Sequence, residues 1–126
     1  MIVLAEDDEG TRTVLEHALR RSGYAVTTLA DGQLVWPTIA AGGVELLILD
    51  LRMPGMNGWE VLRRLKDTRR YGADAAPDLP VIVISAQSDP ETRSFAVRLG
   101  ADAFMAKPID LKDLGLAVKT VLGGPH

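Results

Sequence analysis

Five short apolar runs alternate with five segments of helical periodicity, and that alternation leaves few folds open to the chain. The runs are Ile2-Val3-Leu4-Ala5, residues 25–29, 46–49, 81–84 and 103–106. Four apolar residues in a row suit strands covered on both faces, and residues 25–29, which hold Thr27 and Thr28, read as a weaker second strand. After the first run, Val14, Leu15, Ala18 and Leu19 recur at helical spacing until Gly23. The second helix, over 33–41, holds Pro37 and is expected to be short, irregular or late in starting. Asn57 and Glu60 have capping-box spacing ahead of Val61, Leu62 and Leu65. Asp89-Pro90 opens the fourth helix, with Phe95, Ala96 and Leu99 expected inward before Gly100. Asp110 caps a fifth that carries Leu111, Leu114, Val118 and Val121. Strands separated by helices require right-handed crossovers, which gives an α/β doubly wound five-stranded parallel sheet, order 2-1-3-4-5. The pattern assigns 1–122 to one domain and 123–126 to a C-terminal tail or the start of a linker. Residues 67–78 are polar and aperiodic, and read as a long surface loop with room for a helical extension at its start.

The chemistry collects at the carboxyl ends of the runs. Asp50 closes the third run and is followed at once by Leu51-Arg52-Met53-Pro54-Gly55-Met56-Asn57-Gly58. Glu6 and Asp7 close the first, Ser85 the fourth, and Lys107 stands just past the fifth, before Pro108. In the order 2-1-3-4-5 the first and third strands are neighbours and the switch point falls between them, so Glu6, Asp7 and Asp50 converge where open α/β sheets bind ligands. Strand-end acids often do no more than cap the next helix. Three acids at one switch point repel one another, however, and that argues for a cation. Mg²⁺ takes oxygen ligands, and an amine and a hydroxyl on the same rim suit phosphoryl oxygens. A lone lysine is ordinarily solvated, Ser85 is by default a turn hydroxyl, and Phe104 is most simply core. The Lys107-Pro108 bond can be of either isomer. Ser85 has no flanking histidine to make it a nucleophile, since His17 is mid-helix and His126 terminal.

Composition narrows the field. Fourteen Lys and Arg against 17 Asp and Glu give a net charge of −3 with no basic run, so direct nucleic-acid binding is not expected. The absence of cysteine excludes disulfides and thiolate sites. No apolar stretch approaches the roughly 18 residues of a membrane span, and no signal-peptide pattern is present, so the expectation is a cytoplasmic protein with no membrane contact.

Taken together, Ile2 to Asp7 with its acidic pair, Leu47 to Gly58, Pro80 to Ala86 and Gly100 to Pro108 resemble the receiver domain of bacterial two-component response regulators. The resemblance covers essentially the whole chain and implies a flavodoxin-like (βα)5 fold. It implies Asp50 as phosphoacceptor, Asp7 and Asp50 as Mg²⁺ ligands, Glu6 acting through water, and the Arg52 main-chain carbonyl completing the protein's share. Ser85 and Lys107 would hold the phosphoryl oxygens, Ser85 and Phe104 would form the switch pair, and the partners would be a sensor histidine kinase or histidine phosphotransfer protein and an output domain or downstream protein. A phosphorylation-dependent homodimer is a further implied partner. Three positions depart from the family pattern: Ser85 where Thr is frequent, a longer segment before Pro80, and Ala103 where receivers with winged-helix outputs carry a dimer-contact acid. Arg52 and Gln87, two residues beyond Asp50 and Ser85, are expected to flank the path of water to the phosphorus and so to modulate dephosphorylation. Two alternatives belong to other classes. A receiver-like interaction module would not take phosphate, and an aspartyl-phosphate phosphohydrolase would want an acid where Arg52 stands and a cap domain the chain has no length for.

Overall fold

The computed structural model describes residues 1–53, 55–71, 79–87 and 89–123. Five parallel strands form one sheet: β1 (Ile2–Ala5), β2 (Val26–Leu29), β3 (Leu46–Asp50), β4 (Val81–Ser85) and β5 (Ala103–Ala106). Their order is β2-β1-β3-β4-β5, as the alternation predicts. Helices α1 (Glu9–Arg21), α2 (Val35–Ala40), α3 (Gly58–Tyr71), α4 (Pro90–Arg98) and α5 (Leu111–Val121) follow the strands in turn. A short antiparallel ribbon pairs Arg52–Met53 with Met56–Asn57 between β3 and α3.

Strand alternation sorts the core into two layers. Val3, Ala5, Leu47, Leu49, Val81 and Val83 pack with Val35, Ile39, Val61, Leu62, Leu65 and Ala96, which places α2, α3 and α4 on one face. Ile2, Leu4, Leu46, Ile48, Ile82 and Ile84 pack with Leu15, Leu19, Leu114 and Val118, which places α1 and α5 on the other. Each valine, leucine or isoleucine among them, fully removed from water, is worth about 1.5–3 kcal/mol, and the three central strands are buried at every position.

Aspartates cap the helices on the sheet's carboxyl side. Asp8 accepts from the Thr11 N–H at 2.8 Å, Asp89 from Thr92 at 3.0 Å, and Asp110 from Lys112 at 2.8 Å. Pro90 stands in the first turn of α4, as expected. The second helix does start late: a 3-10 turn, Gly32–Leu34, precedes a six-residue α2 that tolerates Pro37 near its start.

Three expectations need correction. Phe95 does not point inward: it is 42% exposed, because Ala96 takes the inward position and its neighbour is turned away by about 100°. Val14 and Leu111 are likewise exposed at the margins of their helices, while Leu15, Leu19, Leu114 and Val118 carry the packing. Asn57 caps α3 through the Trp59 N–H at 2.8 Å instead of the Glu60 N–H that a capping box uses. Helix α3 continues through residues 67–71, so the helical extension is there; 72–78, like Pro54 and the 124–126 part of the tail, lie outside the described residues.

Candidate functional site

Sheet register builds the site. Ala5 pairs with Leu49, so Glu6, the next residue, comes level with Asp50. Asp50 pairs with Ile84, and Ser85 pairs with Ala106, which carries Ser85 and then Lys107 one step further along the same rim. The hydrogen-bond ladder continues past the strand ends, with the Lys107 N–H donating to the Ser85 carbonyl at 2.8 Å and the Leu51 N–H to that of Ile84 at 3.3 Å. The carboxylate oxygens of Glu6, Asp7 and Asp50 lie within 4.8 Å of one another. Glu6 and Asp50 are buried and Asp7 is exposed.

Lys107 joins the two buried acids. Its Nζ lies 2.9 Å from Asp50 Oδ2, to which it donates a hydrogen bond, and 2.6 Å from Glu6 Oε1. The second contact is an ion pair by distance without hydrogen-bond alignment, which leaves Glu6 Oε1 with no hydrogen-bond partner. The other oxygens are held by backbone: Glu6 Oε2 accepts from the Asp8 N–H at 3.2 Å, and Asp50 Oδ1 from the Arg52 N–H at 3.0 Å. Burial and the neighbouring Asp50 carboxylate push the Glu6 carboxyl up to about 7, against the downward pull of Lys107. Burial pulls the Lys107 ammonium down, but hydrogen bonds and charge from Glu6 and Asp50 outweigh it and the net shift is upward. Crowded carboxyl oxygens, one of them lacking a hydrogen bond, form a donor set that fits a hard divalent cation.

Two glycines bring backbone close to this rim. A Cβ on Gly58 would stand 2.7 Å from Leu51 Cα and 3.0 Å from the Asp50 carbonyl oxygen. A Cβ on Gly55, at φ +86°, would fall against the Asp31 carboxylate.

The remaining predicted residues are distributed around the acids. Ser85 is buried and its Oγ accepts from the Gln87 N–H at 3.0 Å. Arg52 and Gln87 are both exposed but line different grooves: Arg52 lies with Asp7, Asn57 and Glu60, and Gln87 with Trp59 and Phe95. Phe104 is half-buried against the α4-side core, with the Arg93 guanidinium 4.9 Å from its ring centroid. The Lys107–Pro108 peptide is cis. Sequence reasoning missed Arg12, whose Nη1 donates to the Glu6 carbonyl at 2.9 Å and the Asp7 carbonyl at 3.3 Å. The available signal was a basic residue one turn into α1, six positions beyond Glu6, within reach of the loop it follows.

Strand order and a rim of acids bridged by one lysine define the receiver class of signalling domains. The chain belongs to the response regulator receiver domain family, whose sequence profile matches residues 2–119. It is 41% identical over 113 residues to the DNA-binding transcriptional regulator NtrC of Rhizobium meliloti (strain 1021), covering 90% of this chain and 22% of that protein. The chain thus spans 22–24% of the length of its NtrC relatives from Rhizobium meliloti, Azospirillum brasilense and Bradyrhizobium sp.. Among solved structures it resembles the receiver domain of sensor histidine kinase PA1611 from Pseudomonas aeruginosa PAO1, which holds a magnesium ion in its active site cleft. That likeness has a TM-score of 0.84 at 25% identity, over 98% of this chain and 97% of that one. It also resembles a response regulator from Burkholderia pseudomallei that carries a phosphorylated aspartic acid, a calcium ion and citrate, with a TM-score of 0.79 at 25% identity over 96% of this chain and 67% of that one. Family membership identifies the chain as a signalling domain of two-component systems. Among the described residues no helix is long and apolar enough to cross a membrane.

Proposed function

We propose that Asp50 accepts a phosphoryl group from a histidine kinase, a histidine phosphotransfer protein or a small phosphodonor, and that the α4-β5-α5 face changes in response. The observation that carries this reading is Lys107, an ammonium held on both Asp50 and Glu6 at the switch point. In the transfer, an Asp50 carboxylate oxygen bonds to phosphorus as the bond from phosphorus to the donor nitrogen breaks, and the electron pair returns to the imidazole. Glu6, Asp7, Asp50 and the Arg52 main-chain carbonyl would hold Mg²⁺. When bound, Mg²⁺ supplies positive charge against the phosphoryl oxygens. Lys107 neutralises a further phosphoryl oxygen, and Ser85 donates to another once its hydroxyl turns from Gln87. Ser85 then vacates space for Phe104, which leaves Arg93 and settles inward.

Arg52 and Gln87, which line different grooves, control water access and hence the rate of autodephosphorylation. Residues 1–122 form the receiver unit, in a cytoplasmic protein, and 123–126 a tail or the start of a linker. The output is a domain or downstream protein, with a phosphorylation-dependent homodimer as one form, and no contact with nucleic acid by this domain. The magnesium in the PA1611 receiver and the phosphorylated aspartate in the Burkholderia regulator support the assignment.

Acetyl phosphate with Mg²⁺ should add one base-labile phosphoryl group, and Asp50→Asn should abolish it. A wild-type chain that stays unlabelled by mass spectrometry and binds no beryllium fluoride would favour an interaction module that takes no phosphate; steady turnover of a generic phosphate ester would favour a phosphohydrolase.

A further inference from the structure

The acids of the rim are not held equally. Glu6 is buried with one carboxylate oxygen on the Asp8 N–H at 3.2 Å, and Asp50 is buried with one on the Arg52 N–H at 3.0 Å. Asp8 is fixed as the cap of α1, where it accepts from the Thr11 N–H at 2.8 Å and from the Thr11 hydroxyl at 2.7 Å. Asp7 lies between Glu6 and Asp8 with its side chain exposed, so packing does not orient it. Its carboxylate nonetheless belongs to the cluster whose oxygens lie within 4.8 Å of one another. The backbone supplies the order. The carbonyls of Glu6 and Asp7 stand between two ladders, since β1 ends at Ala5 and the ladder of α1 opens with the Arg12 N–H on the Asp8 carbonyl at 2.9 Å. The Arg12 side chain fills that gap from the end of the first turn of α1, its Nη1 donating to the Glu6 carbonyl at 2.9 Å and to the Asp7 carbonyl at 3.3 Å. Those carbonyls belong to the two planar peptide units on either side of the Asp7 Cα. Fixing both planes sets the backbone dihedrals of Asp7, and with them the direction in which its side chain leaves the chain.

We propose that Arg12 is the positioning residue of the divalent-cation site: by clamping the backbone on both sides of Asp7, it holds an exposed carboxylate ready for the metal beside the buried pair Glu6 and Asp50. The inference rests on the metal part of the reading above and adds to it a residue that acts through the main chain of the ligands. A ligand whose direction is set before the ion arrives loses less freedom on binding, and the difference is read as affinity. The sign of the effect separates this role from that of a charge. A guanidinium beside three acids repels a divalent cation, so as a charge alone Arg12 weakens Mg²⁺ binding and its removal tightens it. As a clamp it strengthens binding and its removal loosens it. Two directed N–H bonds from one nitrogen to successive carbonyls are the geometry of a clamp. Arg12 is half-buried, so solvent screens part of its charge, and the clamp prevails.

The test uses the whole chain, with Mg²⁺ itself as the probe. In calorimetry Arg12→Met, which keeps an aliphatic stem and loses the donors, should weaken Mg²⁺ binding about tenfold. Arg12→Lys keeps the charge and an ammonium that can reach a carbonyl, and should fall between Arg12→Met and wild type. In NMR of the metal-free chain, Arg12→Met should move the Asp7 and Asp8 amide signals and speed exchange at the Asp8 N–H, while the signals of α4 stay in place. In acetyl phosphate labelling of Asp50, the Mg²⁺ concentration for half-maximal rate should rise by the same factor as the dissociation constant, with the rate at saturating Mg²⁺ falling less than about twofold. Mg²⁺ affinity in Arg12→Met equal to or tighter than that of wild type would overturn the proposal. So would weakened affinity with the Asp7 and Asp8 signals unmoved, or an Arg12→Lys chain that binds no better than Arg12→Met. If Asp50 stays unlabelled in a wild-type chain that binds Mg²⁺, the phosphorylation reading fails, and calorimetry and NMR still decide the role of Arg12. If the wild type binds no Mg²⁺, the metal part of that reading fails and the proposal falls with it.

Discussion

Glu6 is a carboxyl group with no solvent exposure, one oxygen on an ammonium and the other on a backbone N–H. Folded Glu6 holds its proton to about 7, while the unfolded chain releases it near the ordinary 4.5. Between those values the folded state binds more protons, so its stability falls as pH rises through that window. Lys107, held above its ordinary 10.5, and Asp8 and Asp89, held below 3.8 by bonds to Thr11 and Thr92, titrate outside it. Metal-free urea unfolding should therefore give a lower midpoint above about pH 7 than near pH 5, and Glu6→Gln should flatten that dependence. An equal slope in Glu6→Gln would assign the effect to another group. Asp7 is the contrasting case, an exposed acid in the same cluster. Asp7→Ala should shift stability by less than about 0.5 kcal/mol yet remove most Mg²⁺ affinity by calorimetry; retained affinity would remove Asp7 from the metal site.

At the scale of elements, the turn from β3 to α3 depends on close approach. The atoms that a Gly58 Cβ would meet are backbone atoms of Asp50 and Leu51, which cannot turn aside as a side chain can. Gly58→Ala should cost about 1–3 kcal/mol in urea unfolding, the range for forced overpacking, and should impair acceptor labelling with it. A loss under about 0.5 kcal/mol would show that the turn relaxes freely. Helix α4 differs from its fellows in how little it buries: Ala96 alone, against Leu15 and Leu19 in α1 and Leu114 and Val118 in α5. Few buried apolar contacts mean a low free energy of local opening. Amide exchange should be faster across the middle of α4 than across α1 or α5, and equal protection would contradict a weakly anchored α4.

For the whole molecule, burial grades from the centre of the sheet to its β5 edge. The three central strands are buried throughout, while β5 is half-buried at all four positions. Phe104 sits on that strand between core and solvent under Arg93. A tenfold shift in its population needs only about 1.4 kcal/mol, within reach of one or two charge-assisted hydrogen bonds to a phosphoryl group. Phe104→Ala should leave Asp50 labelling nearly intact while weakening phosphorylation-dependent partner binding. Beryllium fluoride should shift NMR signals beyond the acids to Phe95, Phe104 and Leu114; changes confined to the acidic pocket would exclude the aromatic switch.

Strand count, strand order and the rim of Glu6, Asp7, Asp50, Ser85 and Lys107 were legible in the sequence because they rest on local quantities. An apolar run of four residues, an acid at its end and a helix-period stripe are each written within a few positions, and parallel crossovers leave one compact arrangement for them. Tertiary structure alone decided which of two adjacent apolar residues turns inward. Phe95 lost that place to Ala96 because the rotation of α4 is set by its neighbours in the fold, not by its own periodicity. The same holds for contacts between segments far apart in the chain: the bond from Lys107 to Asp50 spans 57 residues, and Asp31 against Gly55 or Trp59 against Phe95 are just as invisible to a local pattern. Side-chain chemistry and spacing determine which groups can meet at the rim. The distances at which they meet, and so the raised Glu6 carboxyl and the lysine shared between two acids, follow from packing that couples the whole sheet.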